Sequence, residues 1–457
     1  MSAIIDFVRK HLQLFVLVML WVVVTVYLGP LVYLLLPASL FLMRTSDRYA
    51  DILFGFIAVL VMSDMDPDIV AMDPIKTAKN FAIIALSIMF FMDRGRFGQL
   101  SGVFPVFLPF FVFSILPLVF SNRVPVASQK TLSYALLFLV VPNWVLMNFR
   151  THGWDFVRNL IFFLCLILLV SPLLGRINQW YTVIDGRYRG IFGNPNGLGI
   201  FCFLSFLIVA VSEYMNKDLF PNRITRWIVY GIILFNLVRC GSRTSLTATL
   251  MFVMFSRFFS VSPFIGFIIF LSFVAGLQYL TANLANIVIA LGLQEFMRVD
   301  TLEDGSGRYF AWAFAWEKIQ GYFLMGGGFG NDEYVMRQNY EYLRSQGHHG
   351  GVHNSYLTMW FNVGIIGVLI YMRSLFVIFV KASKHVPIAF AVLFSIMFSA
   401  LYESWLNGSL NPFTILVVIV ITLMSEVEIA DPAAVEEPEA DLAADAGPVP
   451  GLVLPAR

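Results

Sequence analysis

Charged residues are scarce in this 457-residue chain: Asp, Glu, Lys and Arg make up 13% of it, whereas 59% is hydrophobic. Soluble domains carry about 25% charged residues, so a soluble protein of ordinary composition is excluded. The chain instead contains many separate apolar runs, several of which approach the ~20 residues that a membrane-spanning helix needs. We therefore predict an all-α, polytopic transmembrane helical bundle of about 12–14 spans.

Cysteine and histidine are also rare. Cys165, Cys202 and Cys240 lie in or beside apolar runs, and their spacing matches neither a disulfide framework nor a metal site. Three of the six histidines fall within 348–353, but no Cys or carboxylate accompanies them at zinc-ligand spacing. We expect buried thiols, no metal and no cofactor.

Acidic residues are concentrated at the C-terminal end. Residues 426–457 hold eight acids and one base, so the rest of the chain carries a net charge of about +8 by subtraction. This segment, rich in Ala and Pro, is predicted to be a disordered cytoplasmic tail. The remainder divides into a transmembrane bundle over 1–281, a large, helical periplasmic loop over 282–353, and C-terminal transmembrane helices over 354–425.

Lysine and arginine in short loops predict the orientation of the spans. Arg9 and Lys10 precede the first apolar run without a small-residue cleavage site, so we expect a retained first span that starts inside. Gly29-Pro30 is typical of a tight hairpin after it. Alternate loops then carry the basic residues Arg44, Arg48, Arg94, Arg96, Arg150, Arg158, Lys217, Arg223, Arg226, Arg257, Arg373, Lys381 and Lys384. This pattern predicts a multi-pass membrane protein whose segment 282–353 lies outside and whose acidic tail lies inside.

Several arginines break the orientation rule, because they lie on the predicted outer side. They are Arg176, Arg187, Arg189, Arg239 and Arg243. Any one of them could pair with lipid headgroups or with a local acid such as Asp185. Arginines that converge from separate loops indicate an anion site instead, because the planar guanidinium donates two parallel hydrogen bonds to phosphate.

The predicted outer loop contains an amphipathic stretch that opens with Arg308 and Tyr309. Trp312 and Trp316 are four residues apart and should share one helical face, either as an interfacial aromatic belt or as a sugar-stacking surface. The glycine-rich run 325–330 should end this helix. As a phosphate-binding loop it is a weak signal, since it lacks a Walker lysine and follows a helix.

His353 directly precedes an apolar run. Asn354 or Ser355 is expected to cap the helix that follows. The positive end of that helix disfavours imidazolium and would keep His353 neutral, as a general base must be. The alternative is a surface histidine without a chemical role.

Five motifs occur in order along the second half of the chain. They are R-x-R-G-I-F-G-N-P-N-G-L-G over 187–199, S-R-T-S-L over 242–246, G-R-Y-x-x-W-x-x-A-W-E over 307–317, G-G-G-F-G over 326–330, and H-N-S-Y-L with N-V-G-I-I-G over 353–367. Together they resemble the O-antigen ligase/Wzy polymerase superfamily, which includes O-antigen ligases, Wzy-type polymerases and bacterial O-oligosaccharyltransferases.

This resemblance implies a GT-C-like fold and metal-independent transfer of a glycan from undecaprenyl diphosphate. His353 falls on the position of the catalytic histidine. The diphosphate-binding role falls on Arg189, Arg243 and Arg308, with Arg187 beside them, and we expect contacts with the glycan or acceptor at Trp312, Trp316 and Tyr309.

Alternatives for the function remain within and outside this superfamily. We favour a polysaccharide polymerase, ahead of a ligase onto lipid A-core and a protein O-oligosaccharyltransferase. A polysaccharide-lipid flippase or transporter is the alternative from another class, although we find no internal repeat. The acids Asp64, Asp66 and Asp68 resemble the metal motif of other GT-C transferases, but a solvated acidic loop is the simpler interpretation.

Overall fold

The computed structural model describes residues 2–65, 69–184, 186–282, 308–348 and 350–431. The first part of the predicted outer loop, including Gly305, Ser306 and Gly307, lies outside the described residues. So do Asp66, Asp68, Asp185, His349 and most of the predicted tail.

Helices account for almost all of the described secondary structure. The α-helices are α1 Ser2–Lys10, α2 Leu12–Leu28, α3 Val32–Thr45, α4 Tyr49–Ser63, α5 Asp73–Met92, α6 Val103–Phe113, α7 Val124–His152, α8 Trp154–Ile177, α9 Pro195–Met215, α10 Arg223–Arg239, α11 Arg243–Val261, α12 Pro263–Ala282, α13 Arg308–Ile319, α14 Asn331–Gln338, α15 Tyr340–Ser345, α16 Ser355–Ser383, α17 Ala389–Tyr402, α18 Pro412–Ser425 and α19 Val427–Ala430. Short 3-10 turns occupy Gly29–Leu31, Val70–Met72, Arg94–Phe97, Leu116–Phe120, Gln179–Tyr181 and Gln320–Tyr322. The strands β1 Val183–Ile184 and β2 Arg187–Tyr188 pair antiparallel.

The prediction of an all-α, polytopic helical bundle is confirmed. Within the described residues, eight helical stretches are long and apolar enough to cross a membrane, and four apolar helices are shorter. The three cysteines are free thiols, and each is buried.

The predicted hairpin at Gly29-Pro30 is present. Trp21 Nε1 donates to Ser39 Oγ at 2.9 Å, and Arg48 Nη2 donates to the Lys10 carbonyl at 2.6 Å. Each contact pairs a residue before Gly29 with a residue after it, and the earlier the first residue lies, the later its partner lies. Helices α2 and α3 therefore run antiparallel. Gly29 provides the reversal with a φ of 52°, a conformation that favours glycine.

Several helices begin at an asparagine whose side chain accepts hydrogen bonds from the first backbone N–H groups. Asn194 caps α9, Asn222 caps α10, Asn354 caps α16 and Asn411 caps α18. In α9 and α18 a proline follows at once, where its missing N–H costs no helical bond. Asn354 is thus the helix cap that the sequence predicts.

Most of the predicted cytoplasmic basic residues with described contacts meet at one end of the bundle. Arg44 forms two hydrogen bonds with Asp93, the shorter at 2.6 Å. Arg150 donates to the Gln99 carbonyl at 2.9 Å and to Glu428. The loops that the basic-residue pattern assigns to one side of the membrane therefore share one end.

The predicted boundary of the disordered tail, residue 426, lies too early in the chain. Glu426 is buried, and its carboxylate accepts hydrogen bonds from Ser101 Oγ at 2.5 Å and from the Gly102 N–H at 2.9 Å. Glu428 pairs with Arg150. Acidic composition misled the prediction here, because these two acids bind partners on distant elements; residues 432–457 lie outside the described residues.

Helix α16 is broken at Gly364, whose φ of 65° and ψ of 178° are not helical. The glycine-rich run 325–330 fills the break. Gly327 and Gly328 donate their N–H groups to the Phe361 and Asn362 carbonyls, each at 2.9 Å. On the far side, the Ile365 N–H donates to the Phe323 carbonyl at 2.9 Å. Backbone groups exposed by the break are therefore paired, as a membrane helix requires.

Asn362 extends this interlock. Its Oδ1 accepts from the N–H groups of Gly330 and Asn331, each at 3.1 Å, at the start of α14. Four N–H groups of the run 327–331 thus bind the chain itself rather than an exogenous phosphate. The glycine run anchors the predicted outer loop to α16.

Candidate functional site

Glu403 is the centre of a polar junction that forms at the end of the bundle opposite Arg44 and Arg150. It follows α17 directly and is 7% exposed. Its carboxylate accepts from Arg308 Nη2 at 2.6 Å, from Asn196 Nδ2 at 2.7 Å, and contacts His353 Nδ1 at 3.2 Å. Residues from α9, α13, α17 and the start of α16 therefore meet at one carboxylate.

His353 has a backbone φ of 50°, which is rare for a residue with a side chain. Such strain persists only where surrounding contacts impose it, and it is common at functional sites. The contact with Glu403 selects the tautomer in which Nδ1 carries the proton, because a carboxylate only accepts. The Nε2 lone pair is then left to accept a proton.

The space in front of His353 Nε2 depends on a glycine. A Cβ atom at Gly350 would lie 2.8 Å from Nε2, closer than such atoms approach in proteins. The neighbouring Gly351 has open space around the corresponding position. Gly350 therefore lets the backbone pass close to the imidazole.

Asn196 connects Arg187 to the junction. Its Oδ1 accepts from Arg187 Nη2 at 3.2 Å, while its Nδ2 donates to Glu403. Arg187 also donates to the Gly241 carbonyl at 3.3 Å, two residues before Arg243. Two of the four predicted diphosphate-binding arginines, Arg187 and Arg308, are thus connected through Asn196 and Glu403, and Arg243 lies two residues after a carbonyl that Arg187 contacts.

Arg243 is the first residue of α11, and its side chain is exposed. Among the described residues, no hydrogen bond or ion pair of its guanidinium is found. The preceding Ser242 packs tightly on α9, since a Cβ at Gly199 would lie 2.5 Å from the Ser242 Cβ. This packing fixes the turn before α11. The Arg243 guanidinium at the end of the turn is exposed and can bind a ligand.

Arg189 differs from the other arginines because its side chain is 1% exposed. Its Nη2 donates to the Trp180 carbonyl at 3.0 Å, and its backbone N–H donates to the Thr182 carbonyl at 2.8 Å. Both contacts lie within residues 180–189. This conformation gives Arg189 a role in holding that segment together, and its contact with a diphosphate stays a prediction.

The two predicted tryptophans of α13 have different neighbours. The Trp312 ring lies 5.6 Å from Tyr309 and 6.0 Å from Tyr402, the residue before Glu403. Trp316 is 47% exposed and packs 5.4 Å from Trp360. Trp312 and Tyr309 therefore adjoin the junction, whereas Trp316 lies beside α16.

Asp64 is the described member of the acidic segment. The backbone N–H of Gly193 hydrogen-bonds to Asp64, and a Cβ at Gly197 would lie 3.5 Å from its Oδ2. Burial raises the pKa of Asp64 to about 7, although Lys79 and the Gly193 N–H act in the opposite direction. This carboxyl lies at the positive end of α9, one turn from Asn196.

Residues 228–372 match the family model described as O-antigen ligase. Over this stretch, about a third of the chain, the protein is similar to the O-antigen ligase family. This confirms the resemblance found in the motifs, and it supports a membrane polymerase or ligase in O-antigen assembly. No curated protein matches the chain.

The O-antigen ligase match covers Arg243, Arg308 and His353 but ends before Glu403 and begins after Asn196. Sequence reasoning missed both of these residues as partners of His353 and Arg308. The sequence carries a signal for Glu403, since it stands within the predicted C-terminal transmembrane helices over 354–425, where an ionisable residue indicates a functional site. Asn196 lies in the motif over 187–199, but the resemblance implies a role only for the arginines of that motif.

Proposed function

We propose that this protein is a metal-independent, GT-C-like glycosyltransferase that transfers a glycan from undecaprenyl diphosphate to an acceptor hydroxyl. The reaction takes place at the periplasmic face of a bacterial inner membrane, and the product is an O-antigen or exopolysaccharide polymer. The observation that supports this proposal is the junction at Glu403, where a histidine and an arginine from distant parts of the chain share one buried carboxylate.

His353 acts on the acceptor. The acceptor oxygen forms a bond to C1 of the donor sugar as the bond from C1 to the diphosphate oxygen breaks. The acceptor proton passes to His353 Nε2, and Glu403 stabilises the imidazolium that results. General base assistance of this kind contributes about 10²- to 10⁴-fold to a rate.

Arginines act on the leaving group. The electron pair of the broken bond goes to the diphosphate, whose growing charge needs cations already in place. Arg243 is exposed and unpaired among the described residues, so it is available for this role. Arg308 and Arg187 are near but are tied to Glu403 and Asn196; they contribute positive charge and hold the junction.

Ligation of a finished glycan to lipid A-core is the second candidate function. The description of the matching family model, O-antigen ligase, favours it. The donor chemistry is the same for both reactions, so the residues above keep their roles. The acceptor decides between them.

Replacing His353 by glutamine tests the transferase proposal. We expect transfer from undecaprenyl-diphosphate glycan in isolated membranes to fall by about 10²- to 10⁴-fold, because the general base is removed. His385→Gln is the matched control, since His385 pairs with Asp431 at the opposite end of the bundle. Both variants should accumulate normally and the wild type should be insensitive to EDTA. Full activity of H353Q would refute the assignment.

Glycan profiling of a deletion strain separates the two candidate functions. A polymerase defect leaves single repeat units on the lipid carrier. A ligase defect leaves intact polymer on undecaprenyl diphosphate.

The close approach at Gly350 gives a second, independent prediction. Gly350→Ala removes no functional group, but its Cβ would displace the imidazole from a position 2.8 Å away. A misplacement of about 1 Å costs roughly 10² in rate, so we expect a loss of that order in the same transfer assay. Gly351→Ala, with open space around its Cβ position, should retain activity. Equal activity of the two variants would contradict the placement of the Nε2 atom.

A further inference from the structure

A polar cavity of about 70 Å³ lies next to the Glu403 junction. Lys130 of α7, Asp332 of α14 and Thr358 of α16 line it, together with Ser404 and Asn407 from the loop between α17 and α18. Ser404 directly follows Glu403, and its Oγ accepts at 2.9 Å from the N–H of Asn354, the residue after His353. The cavity therefore adjoins the two residues at which the acceptor hydroxyl is proposed to lose its proton.

Asn407 lines this cavity and carries a side-chain acceptor that is not used within the described residues. Its side chain is 6% exposed, and its Nδ2 donates to the Ser355 carbonyl. Its Oδ1 is buried and, within the described part of the chain, no donor contacts it. Since a buried acceptor without a donor is costly, a ligand hydroxyl at this position would be favoured.

Ser404 offers the complementary group. Its Oγ accepts from the Asn354 N–H at 2.9 Å and from Thr358 Oγ1 at 3.0 Å, which leaves its own proton to donate. Asp332 also lines the cavity; burial raises the pKa of its carboxyl above the ordinary value, and its oxygens accept hydrogen bonds in either protonation state. The lining thus combines neutral donors and acceptors with two carboxylates and one ammonium group.

The charges at the rim exclude the simplest ionic occupants. The Lys130 ammonium, 2.6 Å from Glu333, disfavours a metal cation. The carboxylates of Asp332 and Glu333 disfavour a phosphate. A neutral group with several hydroxyls fits both constraints, because each hydroxyl can donate and accept.

We propose that this cavity binds hydroxyl groups of a sugar residue in the acceptor glycan. The inference rests on the proposed transferase function and adds the position of the second substrate.

Saturation-transfer NMR on the purified full chain in nanodiscs tests this site. The probes are methyl glycosides of hexoses and of N-acetylhexosamines. We expect at least one of them to bind the wild type. Asn407→Leu and Asp332→Asn should each weaken that binding by about tenfold, because each loses or weakens one hydrogen bond to a hydroxyl.

Asp73→Asn is the matched control for Asp332→Asn, because it makes the same change at an exposed ion pair with Lys76. It should bind the glycoside as the wild type does. If Asn407→Leu does not fold, Asp332→Asn decides alone, since it keeps the size and shape of the side chain. Wild-type affinity in D332N, no binding by any glycoside, or displacement of the sugar by Ca²⁺ would each overturn the proposal.

The same experiment on H353Q separates this inference from the proposed function. We expect H353Q to bind the glycoside normally while transfer is lost. Retained transfer in H353Q would refute the catalytic role of His353. The NMR measurement would still test independently whether the cavity binds a sugar.

Discussion

Replacing Glu403 by glutamine is expected to lower transfer from undecaprenyl-diphosphate glycan by about 10²- to 10⁴-fold, comparable with loss of the general base itself. The amide keeps the size of the side chain but can present an N–H to His353 Nδ1, which favours the wrong tautomer. It also removes the charge that stabilises imidazolium and pairs with Arg308 at 2.6 Å. The measurement is the initial rate in membranes normalised to protein abundance.

Glu213→Gln is the control for this change. Glu213 is also a shielded carboxylate with an arginine partner, Arg226 at 3.0 Å, and it accepts from Tyr230 Oη at 2.7 Å. It lies at the opposite end of α9 from Asn196, so E213Q should retain transfer. A rate loss in E213Q equal to that in E403Q would show that the effect arises from folding.

The double variant H353Q/E403Q measures whether the two residues act as one unit. If Glu403 works through His353, the double variant should be about as slow as H353Q alone, because residues that act together are not additive. Multiplied losses would show that Glu403 has a separate role.

Short sequence motifs predicted the structural features that depend only on neighbouring residues, such as tight turns and helix caps. Gly29-Pro30 predicted the hairpin, and Asn354 predicted the start of α16, because both depend on a few neighbouring residues. The side of the membrane on which each basic loop lies is likewise a property of that loop, because its own lysines and arginines disfavour translocation. Each of these patterns is contained in a short stretch of chain.

The junction could not be predicted in this way. Glu403 is 95 residues from Arg308 and 207 from Asn196 along the chain. Which acid pairs with which arginine depends on helix packing that no spacing rule reveals. The acids of 426–428 show the converse, since composition assigned them to a disordered tail while Ser101 and Arg150 bind them in the fold.

The glycine run shows a second limit of sequence reasoning. Its composition predicted the end of a helix, which is observed, but not that its backbone enters a break in another helix. Gly364 by itself does not indicate a break in α16. The break can be recognised only when Gly364 is considered together with the glycine-rich run 325–330. The pairing of two glycine-containing segments is a tertiary feature.

Gly364→Ala is expected to abolish accumulation of folded protein. A Cβ at Gly364 would lie 2.1 Å from the Leu324 carbonyl oxygen and 2.5 Å from the Met325 nitrogen, and these are backbone atoms that no rotamer change can move. The φ of 65° is itself unfavourable for alanine. Together these effects are expected to cost about 4 kcal/mol or more, which is exceptional for one methyl group.

Gly321→Ala provides the control, because nothing lies within 4 Å of its Cβ position and its backbone is not in the left-handed region. Abundance in the membrane and the detergent-solubilised Tm should fall in G364A and stay near wild type in G321A. Asn354 caps the first half of α16 and directly follows His353. Loss of the contacts between the glycine run 325–330 and α16 should therefore also disrupt the site. Wild-type abundance and Tm in G364A would mean that the glycine run does not close the break in α16.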